Sequence, residues 1–240
     1  MKVTLINYDA DAVNQLIFTK STRLTLAPGL LEEIRAWPEE RKAEELRYIA
    51  NSIKSSWEFV SYTFLIEGAS RGFTHQFVRT RNASYAQQSM RVNDMSNYAF
   101  VTPERIEKDE GADQIVKQIN YEINVAYRKL LSHGIPEEDA RCILPTNIAT
   151  NIVVKHNLRS LSELGISRIG GRTQAEYREI MNAMVDAVLA VHPWAKEFVF
   201  GEEGRNYFDE LEAFASKKFP DLKERGELLK IVDKMRGAKK

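Results

Sequence analysis

The sequence predicts a mixed α/β protein, and three observations carry that prediction. Residues 57–66 and 151–156 are short stretches rich in aromatic and β-branched side chains, which read as strands. Around them run segments with apolar residues at helical spacing. The clearest is 112–132, with Ile115, Ile119, Ile123, Ala126, Tyr127, Leu130 and Leu131 on one face. The composition, 43% apolar and 28% charged over 240 residues, is that of a globular chain able to bury a core.

Taken in order, residues 28–54 form a helical region through Leu30, Leu31 and Ile34, then after Pro38 through Leu46, Ile49 and Ile53. The strand at 57–66 follows, and Ser70 to about Thr80 returns to helical spacing through Phe73, Phe77 and Val78. Residues 82–97 are polar without periodicity and read as a loop. Gly134 stops the long helix, Ile135-Pro136 turns the chain, and 137–143 make a short helix that Pro145 ends. After the second strand come a short helix at 158–164, a Gly170-Gly171 turn and a helix at 174–190 carrying Tyr177, Ile180, Met181, Met184, Val185, Val188 and Leu189. From Lys217 onward nine basic and four acidic residues surround Leu222, Leu228, Leu229 and Ile231, the pattern of a peripheral helix with a solvated charged face. No repeat or linker divides the rest, so one domain is expected over 1–216 with a charged helical extension at 217–240.

Thirty-four basic and thirty-four acidic residues cancel, so no global field draws the chain to a nucleic-acid polymer or an anionic membrane. No apolar run approaches a membrane span, and the opening nine residues are too short and too soon acidic for a signal peptide. Cys142, the only cysteine, excludes an intramolecular disulfide and a cysteine zinc site, and a cytoplasmic setting is expected. Its apolar neighbours predict a buried small hydrophobe. No metal site is expected, because His156 has no second ligand at a suitable spacing.

Charge is concentrated in one window. Residues 68–93 hold Arg71, Arg79, Arg81 and Arg91 with no Asp or Glu, where overall usage would put about four acids. Arginines without carboxylates, among Ser84, Gln87, Gln88 and Ser89, suit an anionic ligand, since guanidinium forks grip phosphate and amides and hydroxyls fill its remaining oxygens. The same residues also fit a solvated helix end and polar loop whose arginines find acids elsewhere. On a helix Gln76 and Arg79 share a face with Arg81 turned away, so two arginines would address two groups. A second basic cluster, Arg159, Arg168 and Arg172, closes on Gly170 and Gly171, and Arg141 sits among apolar residues.

Arg79-Thr80-Arg81, seven residues, then Ser89 resembles the signature of the flavin-dependent thymidylate synthases, written in that family as Arg-His-Arg, seven residues, Ser. Gln76, Ser84, Arg91, Arg141 with Leu144 and Pro145, Asn157 with Arg159, Ser160 and Leu161, and Arg168 with Gln174 and Glu176 continue the resemblance in order from about Glu58 to Glu176. It implies a small, mostly antiparallel sheet wrapped by helices, and a homotetramer with active sites between subunits. It implies FAD as cofactor, with methylenetetrahydrofolate and NADPH as co-substrates. Gln76, Arg79, Gln87, Gln88, Ser89, Arg91, Arg141 and Arg168 would hold the nucleotide, its phosphate mainly by Gln76, Ser89, Arg91 and Arg141. Arg79, Thr80, Arg81, Asn157 and Arg159 would lie on the flavin side, and Arg168 would face the pyrimidine and act in catalysis.

The pattern also departs from the family. Thr80 stands for its histidine, Gln87 for the usual Glu, Val92 for Tyr and Arg172 for another histidine, and an upstream Gly-His element has no counterpart at 51–58. The resemblance therefore implies C5-methylation of dUMP or of a relative such as UMP or dCMP. Hydroxymethylation, and a non-catalytic nucleotide-binding paralogue, remain as alternatives.

Overall fold

The computed structural model describes residues 1–24, 27–52, 54–169, 173–199 and 231. The first strand is β1 (Lys2–Tyr8), and three helices follow: α1 (Ala12–Ser21), α2 (Leu30–Arg35) and α3 (Glu39–Ala50). A 3-10 turn (Lys54–Phe59) leads into β2 (Ser61–Ser70), α4 (Arg71–Phe77) and β3 (Ala83–Gln87). Then come α5 (Glu104–Glu107), α6 (Glu110–Ser132), α7 (Glu137–Ala140), a 3-10 turn (Arg141–Ile143), β4 (Ala149–Asn157), α8 (Leu158–Arg168), α9 (Ala175–Val191) and α10 (Lys196–Val199). The extension expected at 217–240 lies outside the described residues except for Ile231, as do Gly170, Gly171 and Arg172.

The four strands form one antiparallel sheet in the order β1-β2-β4-β3. Alternation dictates its buried face: Tyr62, Phe64 and Ile66 of β2 lie opposite His156, Val154 and Ile152 of β4, and all six are buried. A bulge interrupts this ladder between Ile66 and Ala69, where Gly68 takes a φ of +71° that side chains rarely adopt. Helices α4, α8 and α9 pack against the sheet, with Phe73, Phe77, Leu161, Leu164, Tyr177, Ile180, Met181, Met184, Val185 and Val188 buried. The small antiparallel sheet backed by helices is thus the expected architecture.

Local readings differ in four places. Residues 57–59 belong to a 3-10 turn rather than the strand, because Trp57 is buried and its indole N–H donates to the Ile49 carbonyl at 3.1 Å, anchoring the turn to α3. Residues 83–87 are a strand rather than a loop. Their polar composition hides a period of two, with Ala83, Tyr85 and Gln87 half-buried and Ser84 and Ala86 exposed, and β4 supplies the hydrogen bonds. Cys142 is exposed rather than buried: in the surface turn Arg141–Ile143 it points outward, while Ala140 is buried and Ile143 and Leu144 are half-buried. Strand β1 and helix α1 form where the sequence predicts no element, β1 being held by its pairing along β2.

A second, smaller core carries the loop after β3. Met95, Tyr127, Ala140 and Ile148 are buried together, with Met90, Tyr98, Phe100, Leu130 and Leu131 packed around them, and the Met95 N–H donates to the Tyr127 hydroxyl at 3.3 Å. This cluster takes only the C-terminal half of the apolar face of α6. The N-terminal half is open, with Ile115 66% and Ile119 48% exposed.

Candidate active site

Helix α4 is fixed at both ends before any ligand arrives. At its start the Ser70 hydroxyl caps the helix, accepting from Phe73 N–H at 2.9 Å, and the Arg71 and Gly72 N–H groups donate to the Ile148 and Thr146 carbonyls at 3.0 and 2.7 Å. The Glu176 carboxylate at the start of α9 accepts from both the Ser70 N–H and the Ser70 hydroxyl at 2.6 Å. At its end the Tyr85 hydroxyl donates to the Phe77 and Thr80 carbonyls at 3.0 and 2.9 Å, and burial pushes that phenol up to about 12. Glu176→Ala leaves the Ser70 donors unmatched and is expected to cost about 2 kcal/mol. Thermal unfolding checks this as a Tm lower by roughly 4–8 °C; an unchanged Tm would contradict the positioning role.

Because α4 stops at Phe77, Arg79-Thr80-Arg81 leaves the helix as a turn between two adjoining hollows of about 310 Å³ each. Gln76, Arg79, Thr80 and Arg168 line one, together with His75. Thr80, Arg81, Asn82 and Arg168 line the other, with Ser160, Glu163, Leu164 and Ser167 from the facing α8. Arg79 and Arg81 therefore address different hollows although the helix does not continue through them. Arg168 is the last residue of α8, which runs on past the expected end at 164 and delivers its guanidinium to both hollows. Among the described residues Arg79, Arg81 and Arg168 make no salt bridge. Gln76 donates from its amide to Gln174 at 3.1 Å.

The other predicted residues gather at the opposite end of α4. Arg71 donates to the Gln88 carbonyl, and its buried Nε has no partner among the described residues. Burial, and then the nearby charge of Arg141, lowers the Arg71 pKa. Arg91 is exposed and pairs with Glu138 at 2.8 Å, Arg141 is exposed and donates to the Glu138 carbonyl at 3.0 Å, and the Ser89 hydroxyl accepts from the Arg91 N–H at 3.1 Å. Gln87 lies between the two groups, its amide donating to the Thr74 hydroxyl at 2.8 Å, while the Gln88 amide pairs with the Tyr98 hydroxyl. A helix of seven residues is about 10 Å long, so one α4 separates the two groups of residues by that order.

Asn157 and Arg159 hold α8 in place. The Asn157 side chain caps it, accepting from the Ser160 N–H at 2.8 Å, and Arg159 bridges Glu58 at 2.7 Å and Glu163 at 3.1 Å. The sequence reading leaves out Arg71, Tyr177 and Glu163 as site residues. Arg71 was detectable as the fourth arginine of the acid-free window, whereas Tyr177 looks like any core residue of an amphipathic helix.

Uncountered arginines from separate elements around small hollows form a surface whose chemistry suits a phosphorylated ligand. Residues 4–194 match the family model described as thymidylate synthase complementing protein. The chain is 36% identical over 203 residues to a flavin-dependent thymidylate synthase of Sulfolobus acidocaldarius, covering 80% of this chain and 74% of that one. It is 39% identical over 208 residues to that of Pyrococcus abyssi, covering 82% and 84%. It is 41% identical over 164 residues to that of Sulfurisphaera tokodaii, covering 68% of this chain and 60% of the relative. The chain belongs to the thymidylate synthase complementing protein family.

Proposed function

We propose that this chain is a flavin-dependent pyrimidine-nucleotide C5-methylase, acting on dUMP or on a relative such as UMP or dCMP, with methylenetetrahydrofolate as carbon donor and NADPH as the source of reducing equivalents. The observation that carries the reading is the meeting of Gln76, Arg79, Thr80 and Arg168, from segments far apart in sequence, at one hollow that no carboxylate lines among the described residues. The donor set of Arg79, Thr80 and Arg81 fits the diphosphate of FAD, since both arginines are exposed and make no salt bridge among the described residues. The chemistry FAD supplies when bound is hydride transfer. Arg168 would face the base: C5 of uracil is a poor nucleophile, and a guanidinium at the O2/N3 edge stabilises the anion that makes it reactive. Ser89, Arg91 and Arg141, with Gln88 beside them, would grip the phosphate.

Within one chain the base-side and phosphate-side residues stand at opposite ends of α4, and each hollow is at the low end of the size range for small-ligand sites. A nucleotide together with a flavin needs more surface than that. The open half of α6, with Ile115 and Ile119 exposed on one face, supplies an apolar face for a second copy. The reading is a homotetramer whose sites join the base side of one subunit to the phosphate side of another. Mixing Arg168→Ala subunits with Arg91→Ala subunits, assayed at nucleotide well below the raised KM, is then expected to give more turnover than the two variants give separately; no gain on mixing would place each site within one chain.

Tritium release from 5-tritiated dUMP, UMP and dCMP with reduced flavin and methylenetetrahydrofolate tests the reaction, and no release from any of them would overturn it. One observation favours a non-catalytic nucleotide-binding paralogue: the charge of Arg159 is already met by Glu58 and Glu163. That protein would bind nucleotide and stay colourless, whereas the enzyme takes up FAD and turns yellow.

A further inference from the structure

Arg168 needs to be held in place, yet the usual way of holding an arginine would defeat its purpose. A carboxylate partner would neutralise the guanidinium and compete with any anion reaching it. Arg168 lies instead over an aromatic face, its guanidinium carbon 5.2 Å from the centre of the Tyr177 ring. An aromatic quadrupole orders a cation without cancelling its charge.

The ring itself is immobilised. Tyr177 is 1% exposed. Phe73 meets it edge-on at 4.9 Å and 73°, and Phe77 at 5.9 Å and 80°. Both belong to α4, so the helix that presents Gln76 also fixes the platform for Arg168. The Tyr177 hydroxyl is buried and faces Arg168 and Thr80. Burial raises its pKa, while the charge of Arg168 and hydrogen bonding with Arg168 and Thr80 lower it, which puts the hydroxyl beside the residues common to both hollows.

We propose that Tyr177 is a positioning residue, whose fixed ring holds the guanidinium of Arg168 in its working orientation while leaving its positive charge free for the ligand. The proposal rests on the role given to Arg168 above. The holding is assigned to the ring, so phenylalanine should preserve the arrangement and an aliphatic residue should not.

Two measurements test this, one of them independent of activity. Phenylglyoxal labelling followed by peptide mass spectrometry reads the reactivity of Arg168. The adduct is expected to form at least threefold faster in Tyr177→Leu than in the wild type or Tyr177→Phe, and equal rates in all three would overturn the proposal. In the tritium-release assay Tyr177→Leu is expected to lower kcat at least tenfold with nucleotide KM changed less than threefold, and Tyr177→Phe to recover most of the loss. In an Arg168→Ala background Tyr177→Leu should have no further effect on kcat. A further loss there would make Tyr177 merely structural. Tyr177→Met, which keeps most of the volume, replaces leucine in both measurements if leucine loses the fold. A wild type that releases no tritium, while labelling follows the expected order, would overturn the functional reading and leave the positioning role standing.

Discussion

Replacing Arg168 with alanine is expected to lower turnover about a hundredfold, the range seen when one preorganised donor to developing negative charge is removed. Nucleotide KM should change less than threefold. The division follows from where the charge acts. An interaction made with the anion of the base is stronger in the transition state than in the bound ground state, so its loss falls on kcat. Arg91→Ala provides the contrast, with KM for nucleotide expected to rise at least tenfold while kcat stays within threefold. Arg91 is exposed and its pairing with Glu138 at 2.8 Å is a surface ion pair, worth little and readily exchanged for a phosphate. Steady-state kinetics on the two variants decides the matter: equal losses in kcat and KM at both positions would contradict separate base and phosphate roles. Arg168→Lys should also fall well short of the wild type, because an ammonium presents no planar face to Tyr177 and no fork to the base edge.

The fold was legible where burial imposes a period. Tyr62, Phe64 and Ile66 mark β2, and Ile152 and Val154 mark β4, because both strands lie at the centre of the sheet with one face in the core. The edge strands were not legible for the complementary reason. In β3 only alternate residues are half-buried, and in β1 the burial pattern carries no clear alternation, so both depend on hydrogen bonds to a neighbour far away in sequence. The candidate site follows the same logic. Arginines in an acid-free window are visible in a sequence, as is the ordered series from Gln76 to Glu176. What the sequence does not show is which side chains from different elements meet. That Glu176 fastens the start of α4 while Tyr177, the next residue, underlies Arg168 depends on how α9 crosses the end of α4. Cys142 errs in the opposite direction: apolar neighbours predict burial, but a single 3-10 turn on the surface buries only some of its residues.

Acid is expected to destabilise the protein through His156. This side chain is fully buried between Phe77 and Tyr85, its Nδ1 lies 3.1 Å from the Ser160 hydroxyl, and its buried Nε2 has no partner among the described residues. Burial lowers its pKa to about 4, whereas the unfolded chain titrates near 6.5. Between those values the unfolded state binds more protons than the folded one, so stability is complete above pH 6.5 and is lost as pH falls toward 4. The gap corresponds to about 3 kcal/mol, a large share of the 5–15 kcal/mol that holds a typical domain together. His192, also buried and paired through Nδ1 with the Tyr62 hydroxyl at 3.0 Å, is shifted in the same direction by burial and adds to the slope. Asp11, Asp94 and Glu104 have lowered pKa values, and their contributions fade as pH falls through the ordinary carboxylate range and below, at the acid end of this window, so most of it is left to the histidines. His156→Phe keeps the aromatic packing and removes both the titration and the orphaned nitrogen. Its Tm should therefore fall less than that of the wild type between pH 7 and pH 4.5, and parallel Tm profiles for the two proteins would show that His156 is not the group whose protonation opens the fold.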